Sequence, residues 1–466
     1  MKTTATYKEN TTAAATTNAC KVCSPLGASV AFKGIKGCVP LIHGSQGCST
    51  YIRRYLISHY KEPVDIASSN FSQDTTIFGG HRNFNKGIDN IIRQYKPEVI
   101  AIASTCLSET IGEDIKGLIS AYKAQHKDEP LPHFVAVSTP SYQGTHMDGF
   151  HEAVASIVAA FAERRFKRSH INLFPGFVSP EDIRHLKEIL EAFGIEAIIL
   201  PDYSESLDNP NWEEYHRIPP GGTSVNDIKK TGSAQASIEF GHILNLGNIN
   251  NSVNDSKVNP TGAAFLQNNF GIPNMRIGMP IGIKATDLFF EKLEGIAQIK
   301  TPEKYTKERG RLIDAYIDGH KYVFGKKAVV YGEEDFVIAM MMFLDEIGIE
   351  PVLCATGGES GKAQDRIRQL TGNSKLTILQ GMDFETIASL SRELKPDIMI
   401  GNSKGYYIAR ELNIPLVRVG FPIHDRMGGQ RILHLGYKGT TQLFDSICNA
   451  LIEYKQNNSP VGYKYM

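Results

Sequence analysis

The sequence contains no apolar run approaching the ~20 residues that a membrane-spanning helix requires. It has one tryptophan and seven cysteines in 466 residues, too few thiols for a disulfide-stapled fold. Neither sign of charge is in excess: 50 Lys and Arg balance 50 Asp and Glu, so nothing calls for nucleic acid or an anionic membrane as partner. The phosphate-binding signatures are missing too. No G-x-G-x-x-G opens a helix after a strand, "YGEEDF" (331–336) offering a single glycine, and no P-loop occurs. Neither a dinucleotide nor ATP is therefore expected on this chain. The first residues, "MKTTATYKENTTAAATTNA", have no apolar centre and no arginine, unlike a secretory signal or a transit peptide. Residues 1–19 are expected to form a disordered arm, and the cytoplasm is the expected location.

What remains is an ordinary globular composition, 41% hydrophobic and 21% charged, in a chain too long for one core. Four segments repeat one theme, an apolar β-branched run, a glycine-containing turn, an amphipathic helix and a second apolar run. They are "KPEVIAIASTCLSETIGEDIKGLISAY" (96–122), "INLFPGFVSPEDIRHLKEILEAFGIEAIILP" (171–201), "KKAVVYGEEDFVIAMMMFLDEIGIEPVLCATGG" (326–358) and "KPDIMIGNSKGYYIARELNIPLVRVGFP" (395–422). In the second, Ser179 reads as an N-cap, Pro180 as the first helical residue and Gly194 as the stop. Units of this kind in series build doubly wound parallel sheets, which bind ligands outside the carboxyl ends of their strands. The expected fold is three Rossmann-like α/β domains over 20–168, 169–300 and 301–466, the last with a C-terminal tail. The basic stretch "ERRFKRSH" (163–170) reads as a solvated helix end, and "NLGNINNSVNDSKVNP" (245–260) as a mobile surface loop.

The cysteines are unevenly placed. Cys20, Cys23, Cys38, Cys48 and Cys106 crowd the first quarter, while Cys354 and Cys448 stand alone. Cys48 in "VPLIHGSQGCSTYIRRY" and Cys106 in "VIAIASTCLSETIGED" each follow a strand and open a helix, where free N–H groups and the helix dipole favour a thiolate. Cys23 precedes Pro25 and Gly27 in an expected turn that could bring it beside the other two. Three thiolates from three turns suit an iron–sulfur site. The C-x-x-C pair Cys20 and Cys23 keeps a redox dithiol or half a zinc site open. A buried inert thiol is the plain alternative for each cysteine taken singly.

The runs "CSPLGASVAFKGIKGCVPLIHGSQGCSTYIRRYLISHYKEPVDIASSNFSQDTTIFGG", "STCLSETIGED", "STPSYQGTHMDGF", "KERGRLIDAYIDGHKYVFGKK" and "VRVGFPIHDRMGGQRILHLGYKGT" resemble the β-type subunit of nitrogenase component 1 across nearly the whole chain. The resemblance implies three α/β domains. It also implies that Cys23, Cys48, Cys106 and Ser141 hold part of a P-cluster, an iron–sulfur cluster shared with an α-type subunit in an (αβ)2 heterotetramer. A serine oxygen is a harder donor than a thiolate and suits one oxidation state over another; a turn serine bonding its own backbone is the alternative. The resemblance further assigns Glu62, Asp314 and Asp318 to a cation site between two β subunits, and a molybdenum–iron type cofactor to the α-type partner. No catalytic acid, base or nucleophile is then expected on this chain. His43, Gln46, Arg53, Arg54 and Tyr142 are candidates to tune the cluster, or are simply structural.

Within the family the resemblance favours a reductase subunit that relays electrons from an ATP-dependent iron–sulfur reductase to the α-borne cofactor. The N-type subunit of the iron–molybdenum cofactor biosynthesis scaffold is the alternative, and a methylthio-alkane reductase subunit is a second. Retention of all four candidate donors favours the reductase, whereas "NACKVCSPLGA" departs from the family's usual N-P-A-K-x-C-Q-P entry.

Overall fold

Runs such as Val-Ile-Ala-Ile-Ala-Ser are apolar at consecutive positions, which suits strands covered on both faces rather than one. In a computed structural model, which describes residues 18–164, 169–211, 213–244, 260–371 and 377–460, they form thirteen strands in three sheets. The expected arm through residue 17, positions 165–168 of the basic stretch, positions 245–259 of the asparagine-rich loop and the tail from 461 lie outside the described residues. The first sheet comprises β1 (Cys38–His43), β2 (Ala67–Ser68), β3 (Val99–Ser104) and β4 (His133–Val137), in the order β2-β1-β3-β4. The second comprises β5 (Ile171–Phe174), β6 (Ala197–Ile199), β7 (Ala236–Phe240) and β8 (Asn274–Ile277), in the order β6-β5-β7-β8. The third comprises β9 (Lys327–Gly332), β10 (Glu350–Thr356), β11 (Ile378–Leu379), β12 (Ile398–Gly401) and β13 (Leu416–Arg418), in the order β11-β10-β9-β12-β13. Every neighbouring pair is parallel.

In each sheet the chain winds outward on one side of its first strand and then crosses to the other. The loops leaving the two central strands therefore diverge and open a crevice at their carboxyl ends. In the first sheet that crevice lies between β1 and β3, whose last residues His43 and Ser104 are in register. In the third it lies between β9 and β12.

Helix ends follow local chemistry. Ser179 caps Pro180–Ala192 in a reciprocal box with Asp182, and Gly194 closes the helix at φ +65°. The segment after Cys106 departs from the single helix expected. Gly112 at φ +78° breaks it, and Asp114 caps a second helix, so Cys106–Thr110 and Ile115–Gln125 are separate.

The turn expected at Pro25 and Gly27 is instead the start of a buried helix, Ser24–Lys33. Pro25 is tolerated because the first turn of a helix has no use for its missing N–H. Gly27 serves a close approach. A Cβ there would sit 1.7 Å from the His146 carbonyl oxygen, and one on Gly149 would sit 2.1 Å from the Ser24 carbonyl oxygen. These two glycines bring the helix Ser24–Lys33 into backbone contact with the helix His146–Phe161. Among the described residues no helix is long and apolar enough to cross a membrane.

Candidate metal centre

Adjacent parallel strands end side by side, so whatever follows β1, β3 and β4 converges. After β1, Gly44 and Ser45 lead into the helix Gln46–Tyr60, with Cys48 in its first turn. After β3, Thr105 caps Cys106–Thr110 and makes Cys106 the first helical residue. After β4, Thr139 ties itself to the β3 exit. Its N–H donates to Ser104 Oγ and its hydroxyl to the Ser104 carbonyl, both at 2.7 Å. That anchor sets Ser141, whose N–H donates to Cys106 Sγ at 3.2 Å. Ser141 Oγ in turn accepts the Ser24 N–H at 3.2 Å, across 117 residues. Ser141 is thus not engaged with its own turn; it links Cys106 to the residue after Cys23.

Cys23 arrives from elsewhere. It is the N-cap of the helix Ser24–Lys33, delivered by the glycine contact with His146–Phe161. The preceding Val22 pairs with His146, its N–H reaching Nδ1 at 3.4 Å and its carbonyl accepting the His146 N–H at 3.1 Å. Burial pushes the Cys23 thiol up to about 12, the Leu26 N–H opposes this, and the nearby Cys48 and Cys106 sulfurs add repulsion. Three thiolates here would repel one another, so the trio asks for positive charge among its sulfurs. Ser45 Oγ lies 3.5 Å from Cys48 Sγ.

Among the described residues no three His, Cys, Asp or Glu side chains converge tightly enough to hold a single metal ion. The site is also open to a neighbour: Cys106 is exposed, Cys23 and Cys48 are half-buried, and Tyr142 beside Ser141 is 61% exposed. The other cysteines are buried, and burial pushes the thiols of Cys20, Cys38, Cys354 and Cys448 up to about 12. Cys20 sits in a different apolar cluster from Cys23, packed with Val329, Tyr331 and Met399, so the C-x-x-C pair does not face one site.

Of the candidates for tuning, His43 is structural. It is fully buried between Phe71 and Phe84, with Nε2 3.1 Å from Glu113, and burial pulls its imidazole below the usual range. Gln46 and Arg54 are exposed, and Arg53 donates to the Val64 carbonyl. Glu62, Asp314 and Asp318 do not meet within one chain. Glu62 accepts the Asn209 N–H, and burial raises its carboxyl, while both aspartates are exposed on the helix Glu303–Val323.

Sequence reasoning missed the groups that hold these candidates in place: Ser45, Thr139, His146 and Gly149 of the helix contact. None carries a motif; Ser45 acts on Cys48 three residues on, and the others through partners farther along the chain. A carboxyl on the helix His146–Phe161 was missed as well. Burial pushes Glu152 up to about 7, with Asp148 and Glu109 adding to the rise. A raised carboxyl favours the fold when protonated, a contribution complete below its unfolded value and lost as pH climbs through 7. Urea titrations should show Glu152→Gln matching the parent near pH 4.5 and exceeding it by about 2 kcal/mol at pH 8.

Residues 23–452 match the family model described as nitrogenase component 1 type oxidoreductase. The chain is 36% identical over 442 residues to the nitrogenase molybdenum-iron protein beta chain of Clostridium pasteurianum, covering 94% of this chain and 93% of that one. It is 34% identical to the beta chain of the same name from Methanothermobacter thermautotrophicus, over 92% of this chain and 93% of the other. A solved structure described as nitrogenase Cp1 at pH 6.5 superimposes with a TM-score of 0.89 at 35% identity, covering 97% of this chain and 96% of its own. Fold and relatives agree: the chain belongs to the nitrogenase component 1 type oxidoreductases, as a β-type subunit.

Proposed function

We propose that the chain is the β-type half of a nitrogenase reductase component. In this reading Cys23, Cys48, Cys106 and Ser141 hold their share of a P-cluster-type iron–sulfur cluster, completed by an α-type partner in an (αβ)2 assembly. The observation that carries the reading is the convergence of the exits of β1, β3 and β4 with the N-terminus of the helix Ser24–Lys33 at an open face. When bound, such a cluster supplies one-electron transfer between an ATP-dependent iron–sulfur reductase and a molybdenum–iron type cofactor in the partner.

This chain's own residues bind and orient. Cys23 would hold the cluster as a thiolate, the metal charge offsetting the burial that keeps the free thiol protonated. The Ser141 N–H supports negative charge on Cys106 Sγ, and the Ser24 N–H does the same for Ser141 Oγ. Exposed Tyr51 and Tyr142 offer apolar area to the partner. Glu62 of one β subunit with Asp314 and Asp318 of another would give a hard cation oxygen donors.

The test is co-expression with the α-type partner, purification without oxygen, and quantitation of iron and acid-labile sulfide. The reading requires iron and sulfide beyond the content of the partner's cofactor, together with acetylene reduction when reductase and ATP are added. Full cluster iron with no reduction of acetylene or of a methylthio-alkane would point to the cofactor-assembly scaffold. Absence of acid-labile sulfide would overturn the cluster itself.

A further inference from the structure

The third sheet has the crevice that doubly wound sheets use for ligands, and in this chain it is filled from within. The segment Asn18–Val22 runs across the carboxyl ends of the third sheet's strands. The Asn18 carbonyl accepts the Phe384 N–H at 3.1 Å, and the Cys20 N–H donates to the Met382 carbonyl at 3.0 Å, just after β11. The Cys20 carbonyl accepts the N–H of Gly357, which directly follows β10, at 3.2 Å. Lys404, in the turn after β12, donates Nζ to the carbonyls of Ala19 and Lys21 at 3.2 and 3.3 Å. Cys20 itself is a 4% exposed plug seated on Val329, Tyr331 and Met399.

Gly357 shows how tight the fit is. A Cβ there would lie 2.5 Å from both the carbonyl carbon and the oxygen of Cys20, so only a residue without a side chain admits the strap at this depth. The last clamp, Lys404 on the Lys21 carbonyl, comes two residues before Cys23. Val22 then hands the chain to His146 on the other side. Cys23 is therefore suspended between a clamp on the third sheet and a helix of the first domain.

We propose that Lys404 and Gly357 are positioning residues for Cys23. By clamping the strap in the ligand crevice of the third sheet, they fix where this thiol meets Cys48 and Cys106. The third sheet, which contributes no donor to the cluster, then governs its assembly through the five-residue strap Asn18–Val22. The same occupancy closes the crevice to a nucleotide. The inference rests on Cys23 being a ligand, as proposed above.

Two variants in the full αβ complex test it: Lys404→Met, which removes the donor and keeps the stem, and Gly357→Ala, which expels the strap while leaving Lys404 untouched. Hydrogen exchange is read at the Cys20 and Gly357 amides, and cluster iron is counted per β chain. Each variant should speed exchange at both amides at least tenfold and lower cluster iron by at least half, with Lys404→Arg restoring both. Unchanged protection in both variants overturns the clamp. Faster exchange with full iron overturns its role toward Cys23. Cys23→Ala, which leaves the clamp intact, separates the two readings. It should lose iron with parental strap protection, whereas full iron in Cys23→Ala overturns the ligand assignment and with it the proposal.

Discussion

Cys48→Ala should leave a folded β chain that no longer retains its share of cluster iron and associates weakly with its α-type partner. The substitution is mild for the fold: Cys48 is half-buried in the first turn of Gln46–Tyr60, and alanine is the better helix former. Among the described residues its Sγ has one hydrogen-bond contact, Ser45 Oγ at 3.5 Å, so loss of the thiol orphans no buried donor. A stability change within about 0.5 kcal/mol is the expectation for such a site. A large fall in iron, with a midpoint of urea unfolding close to the parent's, therefore reports ligation rather than collapse. Cys38→Ala is the contrast. Its thiol lies on fully buried β1, so removal leaves a small cavity and costs about 1 kcal/mol, yet iron stays bound. Elemental analysis and native mass spectrometry of the two complexes separate these outcomes. Full iron content in Cys48→Ala would remove the basis of the proposed function.

The sheets were legible in the sequence because strands buried on both faces are continuous apolar runs, and because Ser179, Pro180 and Gly194 mark helix ends by local chemistry alone. The strand-end placement of Cys48 and Cys106 was legible for the same reason: a run, a turn and a helix start can be read within a dozen residues. What brings Cys23 to them could not be read that way. Its turn is a helix, and the cause lies 126 residues on, where Gly149 leaves room for the Ser24 backbone. Likewise the Ser141 hydroxyl accepts the Ser24 N–H, a contact that no pattern around Ser141 shows. The C-x-x-C spacing left a dithiol or half a zinc site open for a related reason. The two thiols are close in sequence, but the chain between them passes from the apolar cluster of the third sheet to that of the first. Contacts of this range depend on how three domains close on one another, and no local pattern encodes that.

The largest stability effect should come from a residue with no part in metal binding. Asp182 is 1% exposed, and its carboxylate gathers donors from two distant parts of the chain. Oδ2 accepts the Ser179 N–H at 3.0 Å and lies 2.8 Å from His434 Nδ1; Oδ1 accepts the His434 and Leu435 N–H groups at 2.7 and 3.0 Å. Burial alone would raise this carboxyl, but His434 and the donated N–H groups outweigh it and hold it below the usual range. Asp182→Ala would strand these donors in the protein interior. The expected loss is about 4 kcal/mol, at the scale of breaking a buried charge pair by removing one partner. Asn is no rescue, since its amide would turn a donor toward donors. The sign with pH follows from the depressed carboxyl. The parent's advantage is complete above the ordinary aspartate value of 3.8 and falls away as acid reaches the lower folded value. Urea titrations at pH 7 and pH 3 should show the gap between parent and variant narrowing in acid. A gap of the same size at both pH values would mean that the helix Pro180–Ala192 is fastened to the start of Gly436–Asn457 by packing, and that the buried charge contributes little.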